Sequence, residues 1–441
     1  MKKVIRCVFV GMVLWGGLFW GCGDIQAETL KEAVALVLQT NPEIEAQAYN
    51  RLAVTQEIIA AKSGYYPRLD FFQSVGVGDE QFPDYRRSWP TETIISLRQN
   101  LFRGFMDYHE VQRQENRMIS SAYRLQEIAE NTALEGARVY LNVLRQMELD
   151  ELAELNLANH QRIYDQIKLR TESGVDRRAD LDQVLGRLAL ARSNTVATQA
   201  NLIDANTDYL SVIGHLPENL QFPEPVVEMI PENLKKAQAI ALDEYPLVLS
   251  AAADVSARKA QHKVAKGLYS PTFDAAVEYH WTDDLEYFDD NREEFVASLL
   301  INFNLFNGFY KPAKVAEAAY LIREAQEIKN NTQRQVTESV RLSWMAYIAA
   351  KDKLKHMENY VAATQLTREA FAKQWTIGQR TMFDVLDIEA ELIDAKRQLV
   401  ETRYDHVFAQ YRVLNAMGKL VPAFGLERPG EGIVTASMDT P

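Results

Sequence analysis

Apolar positions along most of this chain recur every three to four residues, the spacing that puts them on one stripe of an α-helix. In "DLDQVLGRLALAR" the stripe is Leu181, Val184, Leu188 and Ala191. In "VLDIEAELIDAKR" it is Val385, Ile388, Leu392 and Ala395. The steps are 3, 4, 3 in both, a heptad seam that predicts a helix packed lengthwise against another. From 105 to 173 there is no proline and one glycine, Gly136, and from Pro312 to Gly378 there is neither, in text rich in strong helix formers. The pattern predicts helices over about 105–173, 179–213, 312–377 and 383–417, the longest on the order of 100 Å. A single opening helix is expected in front of each set, over about 29–63 and 233–267.

Twice the period drops to two. In "PTFDAAVEYHW" Phe273, Ala275, Val277, Tyr279 and Trp281 alternate with Asp274, Ala276, Glu278 and His280. In "FVASLLINFNLF" Phe295, Ala297, Leu299, Ile301, Phe303 and Leu305 share one side. The earlier counterpart is Leu69, Phe71 and Val75, then Ile95, Leu97 and Leu101. Alternation predicts strands over about 67–77, 92–102, 271–281 and 295–306, each with one apolar face. About ten residues is the length a tilted strand needs to cross a bilayer. Aromatics near the strand ends, Tyr66, Phe102, Tyr279, Trp281 and Phe306, suit an interfacial girdle. The acidic loops "GDEQFPDYRRSWPTE" and "TDDLEYFDDNREE" join each pair and belong in water.

The chain also repeats itself. "QNLFRGF" at 99–105 returns as "FNLFNGF" at 303–309, 204 positions later. At the same offset Pro42 matches Pro246, Pro67 matches Pro271, Gly174 matches Gly378, Asp180 matches Asp384, Tyr140 matches Trp344 and Gly214 matches Gly418. Turn residues in register over such a distance indicate a tandem duplication, 28–231 and 232–435, with a tail at 436–441.

Residues 1–27 read as a signal peptide. Lys2, Lys3 and Arg6 precede an apolar stretch of about 13 residues, too short to span a bilayer, and Ala27 offers a cleavage site. Both cysteines, Cys7 and Cys22, lie in this segment. Cys22 after Gly21 raises lipidation, against which Phe19 and Trp20 make a poor lipobox. Without this leader no disulfide or thiolate metal site is available. The formal charge is −13, and removing a leader with three cations and one anion leaves about −15. So acidic a chain is a poor partner for nucleic acid. No GxSxG, HExxH or Walker loop appears, and the seven histidines show no ligand spacing, so neither an enzyme nor a metal or cofactor site is expected.

Four strands cannot close a barrel, and an open sheet edge in lipid leaves backbone groups unsatisfied. The chain must therefore oligomerise. Two copies give eight strands, whose interior side chains fill; three give twelve and a lumen. A periplasmic coiled-coil protein without transport function would explain the helices but not four alternating strands of membrane length.

Taken together, "TLKEAVALVLQTNPEIEAQ", "SGYYPRLDF", the two NLFxGF stretches and above all "WTIGQRTMFDVLDIEAELIDAKR" resemble the TolC family of outer-membrane channel-tunnels, over essentially the whole chain after the leader. The resemblance implies a mainly helical homotrimer: a long α-helical coiled-coil barrel in the periplasm and a 12-stranded membrane β-barrel in the outer membrane of a Gram-negative cell. It implies work with a periplasmic adaptor and an inner-membrane ABC or other export transporter. The "IGQRTMFDVLDIEAEL" segment resembles members serving type I protein secretion; multidrug efflux is the alternative. It further implies an entrance at the periplasmic tip, where Gly174 and Gly378 break the helices. There Arg380 matches the family's aperture arginine, Asp384 and Asp387 a pair lining the constriction, and Asp180 the acidic residue of the first repeat's tip. Trp375 stands where a tyrosine is usual, and Ala179 removes a possible hydroxyl partner for Arg380. Independently of the family, Asp384 and Asp387 are three apart and share a helix face. Threefold symmetry would make them rings of the kind that selects cations. Aspartates at helix starts also suit the helix dipole whatever else they do.

Overall fold

A computed structural model describes residues 28–80, 86–175, 177–224, 226–283 and 291–433. Residues 1–27, where the leader with Cys22 is expected, the tail at 436–441 and the tips of both acidic loops lie outside the described residues. The first repeat runs α1 (Leu30–Thr40), α2 (Pro42–Lys62), β1 (Arg68–Val75), β2 (Gly78–Glu80), β3 (Arg86–Ser88), β4 (Thr91–Arg103), α3 (Met106–Glu172) and α4 (Arg178–Ile213). The second runs α5 (Leu234–Glu244), α6 (Pro246–Gly267), β5 (Thr272–Asp283), β6 (Arg292–Asn302), α7 (Tyr310–Thr376), α8 (Met382–Ala416) and the single turn α9 (Leu420–Ala423).

Three sequence expectations are corrected. Each opening helix is two helices, because Pro42 and Pro246 lack the N–H that would continue the ladder and sit instead at a new first turn. Asn41 caps the second piece, its Oδ1 accepting from Glu43 N at 2.9 Å. The last strand stops at Asn302, not 306, and Leu305 beyond it is 87% exposed. Helix α7 starts at Tyr310, before Pro312, since a proline in the first turn removes an N–H that has no helical partner anyway. Helices α3 and α7 have 67 residues each, about 100 Å at 1.5 Å per residue.

The doubled NLFxGF stretch makes the turn from strand into long helix. Gly104 and Phe105 have φ of +61° and +58°, and Gly308 and Phe309 +64° and +69°. Two successive left-handed residues reverse the chain direction. The strain on each phenylalanine is held by an edge-to-face ring contact, Phe102–Phe105 at 5.3 Å and Phe306–Phe309 at 5.5 Å.

The main sheet is antiparallel in the order β1-β4-β5-β6, with the two repeats joined at β4–β5; β2 and β3 form a separate small hairpin. Its register lines up one apolar row, Leu69, Leu97, Val277 and Ala297, and a second, Phe71, Ile95, Tyr279 and Phe295. Most of these side chains are exposed. The opposite face carries Asp274, which accepts from Asn100 Nδ2 at 2.9 Å and pairs with Arg98 at 3.1 Å. Among the described residues the outer edges of β1 and β6 have no partner strand. Apolar outward and polar inward is the face pattern of a lipid-embedded barrel wall.

The main hydrophobic core lies partway along α3 and α7, where α1, α5 and the C-terminal end of α8 pack on them around Leu125, Tyr140, Tyr209, Trp344 and Tyr411. Gly136 is no break in α3: it lies inside the helix against Val37 and Val34 of α1, where a Cβ would make ordinary contacts at 3.6 and 3.7 Å. The chain after α8 is tied down by Glu130, fully buried on α3. Its carboxylate accepts from Leu420 N (2.8 Å), Val421 N (3.2 Å) and Arg428 Nη2 (2.9 Å).

Candidate functional site

The end of the helical body far from the sheet is where α3 turns into α4 and α7 into α8. Both turns hinge on a left-handed glycine, Gly174 at φ +74° and Gly378 at +76°. A Cβ would meet nothing within 4 Å at either, so backbone conformation rather than space selects the residue. Behind the turns Ile167, Val184 and Leu386 are fully buried together, which packs α3, α4 and α8 against one another almost to the tip. Val184, Leu188 and Ala191, and Val385, Ile388, Leu392 and Ala395, are the buried faces of α4 and α8. Leu181 is partly buried at the rim of the tip cluster.

Asp384 begins α8 in a capping box. Its Oδ2 accepts from Thr381 N (3.0 Å) and Thr381 Oγ1 (2.8 Å), while Thr381 Oγ1 accepts from Asp384 N (3.3 Å). The Thr381 hydrogen bonds hold the Asp384 carboxyl below the usual carboxylate range, with Arg380 assisting. Asp180 does similar work at α4, accepting from Arg177 N at 3.4 Å. Arg380 lies over the Phe371 ring at 3.9 Å, donates from Nε to Gln374 Oε1 (3.1 Å) and pairs with Asp384 at 3.7 Å. The described contacts thus bring Arg380 and Asp384 together, with Asp180 engaged in its own helix start. Trp375 meets the Arg170 guanidinium at 5.8 Å, joining the ends of α7 and α3. Asp387 pairs with Arg187 of α4, Nη2 to Oδ1, at 2.8 Å.

Sequence reasoning missed the layer behind these residues. Glu389 is 4% exposed, accepting from Arg368 Nε at 2.6 Å and from Asn159 Nδ2 at 3.3 Å. The available signal was a carboxylate set in an apolar stripe, between Leu386 and Leu392. His160 on α3 is 5% exposed, and its Nδ1 has no hydrogen-bond partner among the described residues. Burial lowers its pKa; Glu389 opposes and Arg187 reinforces that shift. A histidine held below its ordinary value stabilises the packed tip fully above about pH 6.5, and that contribution falls as pH drops through 6.5 toward the lowered value. Acidification from pH 7.5 to 5.5 is therefore expected to loosen the tip and raise channel conductance, and His160→Gln to flatten the response. A wild-type conductance independent of pH, or an unchanged response in His160→Gln, would reject the role.

No helix among the described residues is long and apolar enough to cross a membrane. The membrane-sized feature is instead a sheet with an apolar outer face, carried on helices about 100 Å long that end in a charged tip. That combination defines a class, the outer-membrane channel-tunnels. The pattern of the outer membrane efflux protein family matches residues 33–215 and 239–419, and the chain belongs to that family. It is an outer-membrane efflux channel of the TolC type with a tandem-repeat architecture. The chain is 25% identical to outer membrane efflux protein BepC of Brucella suis over 95% of its own length and 91% of that protein's. It is 24% identical to TolC of Escherichia coli, covering 95% and 87%. It is 20% identical to the proteases secretion protein PrtF of Dickeya chrysanthemi, covering 87% and 86%. In fold it is similar to CusC, with a TM-score of 0.78 at 16% identity over 88% of this chain and 91% of the other. It is likewise similar to the open state of the MtrE channel of Neisseria gonorrhoeae, with a TM-score of 0.76 at 12% identity over 89% of each.

Proposed function

We propose that three copies of this chain form one continuous conduit for type I protein secretion, receiving cargo from an inner-membrane transporter through a periplasmic adaptor. The observation that carries the trimer is the four-stranded sheet whose two edges are unpaired among the described residues and whose apolar face is outward. Lipid does not tolerate free strand edges, and three copies are the fewest that enclose a lumen. Residues 28–231 and 232–435 then act as matched halves of each protomer behind a leader at 1–27. The secretion branch is supported by the resemblance of "IGQRTMFDVLDIEAEL" and by PrtF among the relatives; TolC and BepC leave small-molecule efflux as the second reading. Gly174 and Gly378 form the entrance turns. Asp180, Trp375 and Arg380 hold the entrance closed, and Asp384 and Asp387 set which ions pass.

The test is native mass measurement of the detergent-solubilised protein followed by recording in planar bilayers. A trimer is expected; a stable monomer or dimer would overturn the assembly. Arg380→Ser with Asp180→Ala should raise single-channel conductance, and Asp384→Asn with Asp387→Asn should reduce cation preference. If neither changes, the gate is assigned to the wrong residues. Deleting the gene should block export of a protein substrate under the secretion reading; sensitisation to small toxic compounds with export intact would favour efflux.

A further inference from the structure

The tip holds a carboxylate whose partner is unexpected. Asp387 projects from α8 of the second repeat, 67% exposed, and its Oδ1 receives Arg187 Nη2 from α4 of the first repeat at 2.8 Å. The pair therefore bridges the two coils of one protomer, α3/α4 and α7/α8, beside the water-filled axis that the proposed function requires. Two residues on, about half a helical turn round α8, Glu389 crosses the same joint from the buried side by accepting from Asn159 of α3, and Arg368 of α7 holds it within its own coil. Between the two lies the dry contact of Val184 with Leu386. Moving the α7/α8 coil away from the α3/α4 coil breaks the Arg187–Asp387 pair, the Val184–Leu386 packing and the Asn159–Glu389 bond together.

The repeat itself does not require this bridge. The positions 204 residues away are Glu391 for Arg187 and Gln183 for Asp387. Glutamate and glutamine make no ion pair, and Glu391 instead accepts from Tyr360 Oη at 2.9 Å within its own coil. Asn159 and Arg368 likewise have Ala363 and Tyr164 as mates, and Glu389 has Leu185. The bridge therefore belongs only to the joint inside a protomer and is a particular of this chain's tip.

We infer that Arg187 is a positioning residue that neutralises Asp387 while the two coils are packed, so that the ring of three Asp387 carboxylates stands without its counter-charge only when the entrance opens. Closure and ion preference are then one device. In the packed state each Asp387 carries its own counter-charge and adds little field to the throat. When α8 swings from α4, Arg187 stays on the first repeat's coil, and three uncompensated carboxylates face the passing solution. Charged rings of that kind favour cations. This rests on the channel reading given above.

The two members of the pair can be told apart because they share a closing role and differ in sign. Both Arg187→Gln and Asp387→Asn remove the bridge, so both should raise the open population. A half-exposed pair is weak singly, but three acting together shift a two-state entrance between about threefold and about a hundredfold. Ion preference should move in opposite directions. Arg187→Gln leaves the carboxylates permanently unmasked, so cation over anion permeability and block by multivalent cations should increase. Asp387→Asn should decrease both. The swap Arg187→Asp with Asp387→Arg should recover the low wild-type conductance, and ion conduction by each single variant itself shows that it folds. Conductance and reversal potential under a KCl gradient in planar bilayers read all of these. If the wild type forms no ion-conducting channel, the functional reading fails and this inference with it. If the wild type conducts but Arg187→Gln leaves conductance and ion preference unchanged, or lowers cation preference as Asp387→Asn does, or if the swap stays as open as the single variants, the inference alone is overturned.

Discussion

Gly104→Ala is expected to remove most of the folded protein from the outer membrane, whereas Gly308→Ala, its counterpart 204 residues on, is expected to be tolerated. Both glycines have left-handed φ, +61° and +64°, so either alanine meets a conformational penalty of about 1–2 kcal/mol. At Gly104 a Cβ would also lie 2.6 Å from Ser270 Cβ and 2.7 Å from the Gly267 carbonyl oxygen. That oxygen is backbone and cannot rotate away. Forcing the end of α6 off the strand-to-helix turn adds about 1–3 kcal/mol. At Gly308 nothing in the chain lies within 4 Å. Heat resistance of the assembled protein on a gel, with immunoblotting of outer-membrane fractions, measures the difference. Equal losses for the two variants, or none for Gly104→Ala, would show that the close approach to α6 is not what the glycine serves.

Glu130→Ala should free the chain beyond α8 and lower stability by about 3–5 kcal/mol, the range for removing one member of a buried, hydrogen-bonded charge pair. Glu130 is 0% exposed. Burial pushes its carboxyl up, while Arg428 and the Val421 and Leu420 amides pull it back. Without it two buried amides lose their acceptor, and among the described residues Arg428 keeps its contacts to Gln126 Oε1 (3.0 Å) and the Gly418 carbonyl (2.6 Å). Glu130→Gln keeps an acceptor and should cost less. Limited proteolysis should cut after Met417 in Glu130→Ala before it cuts the long helices. If the variant resists cleavage like the wild type and its urea midpoint is unchanged, the tether is not structural. In a double-mutant cycle Arg428→Ala should add little to Glu130→Ala, because both break the same contact.

The helices were legible because heptad spacing and the long runs without proline are local properties: each buried residue of α8 that forms the seam stands in the sequence at its helical interval. The strands were legible by alternation, although their ends were not. Phe303 and Leu305 continue the period-two pattern past Asn302, yet β6 stops there, since pairing with β5 begins at Thr272 and offers no partner further on. In the sequence the prolines at 42 and 246 mark the repeat; that they start new helices depends on Asn41 and Tyr245 leaving the helical conformation. The small β2–β3 hairpin in the first acidic loop has three residues per strand, too few for any period to register.

The candidate site divides in the same way. Gly174 and Gly378 were readable because a left-handed turn between two helices calls for glycine wherever it occurs. Asp180 and Asp384 were readable as helix starts for the same local reason, and both fill that place. Glu389 left a trace as a carboxylate in an apolar stripe, but its partners, like those of Arg187, were not readable, because they lie across a helix interface, 230 residues apart for Asn159 and Glu389.

By itself, then, the sequence determined what depends on neighbours along the chain: helix and strand periods, turns at glycine and proline, and the doubling at 204 residues. The expectation that four strands with one apolar face need other copies to close also comes from the sequence, by counting and backbone hydrogen bonding. Only the tertiary structure decided which of two matching residues carries a burden. Gly104 is pressed against Gly267 while Gly308 is open within the chain, and Asp387 is paired while its mate Gln183 is not an ion at all. A duplication copies local instructions. The packing of one copy against the other makes their surroundings unequal, and only contacts across that joint show it.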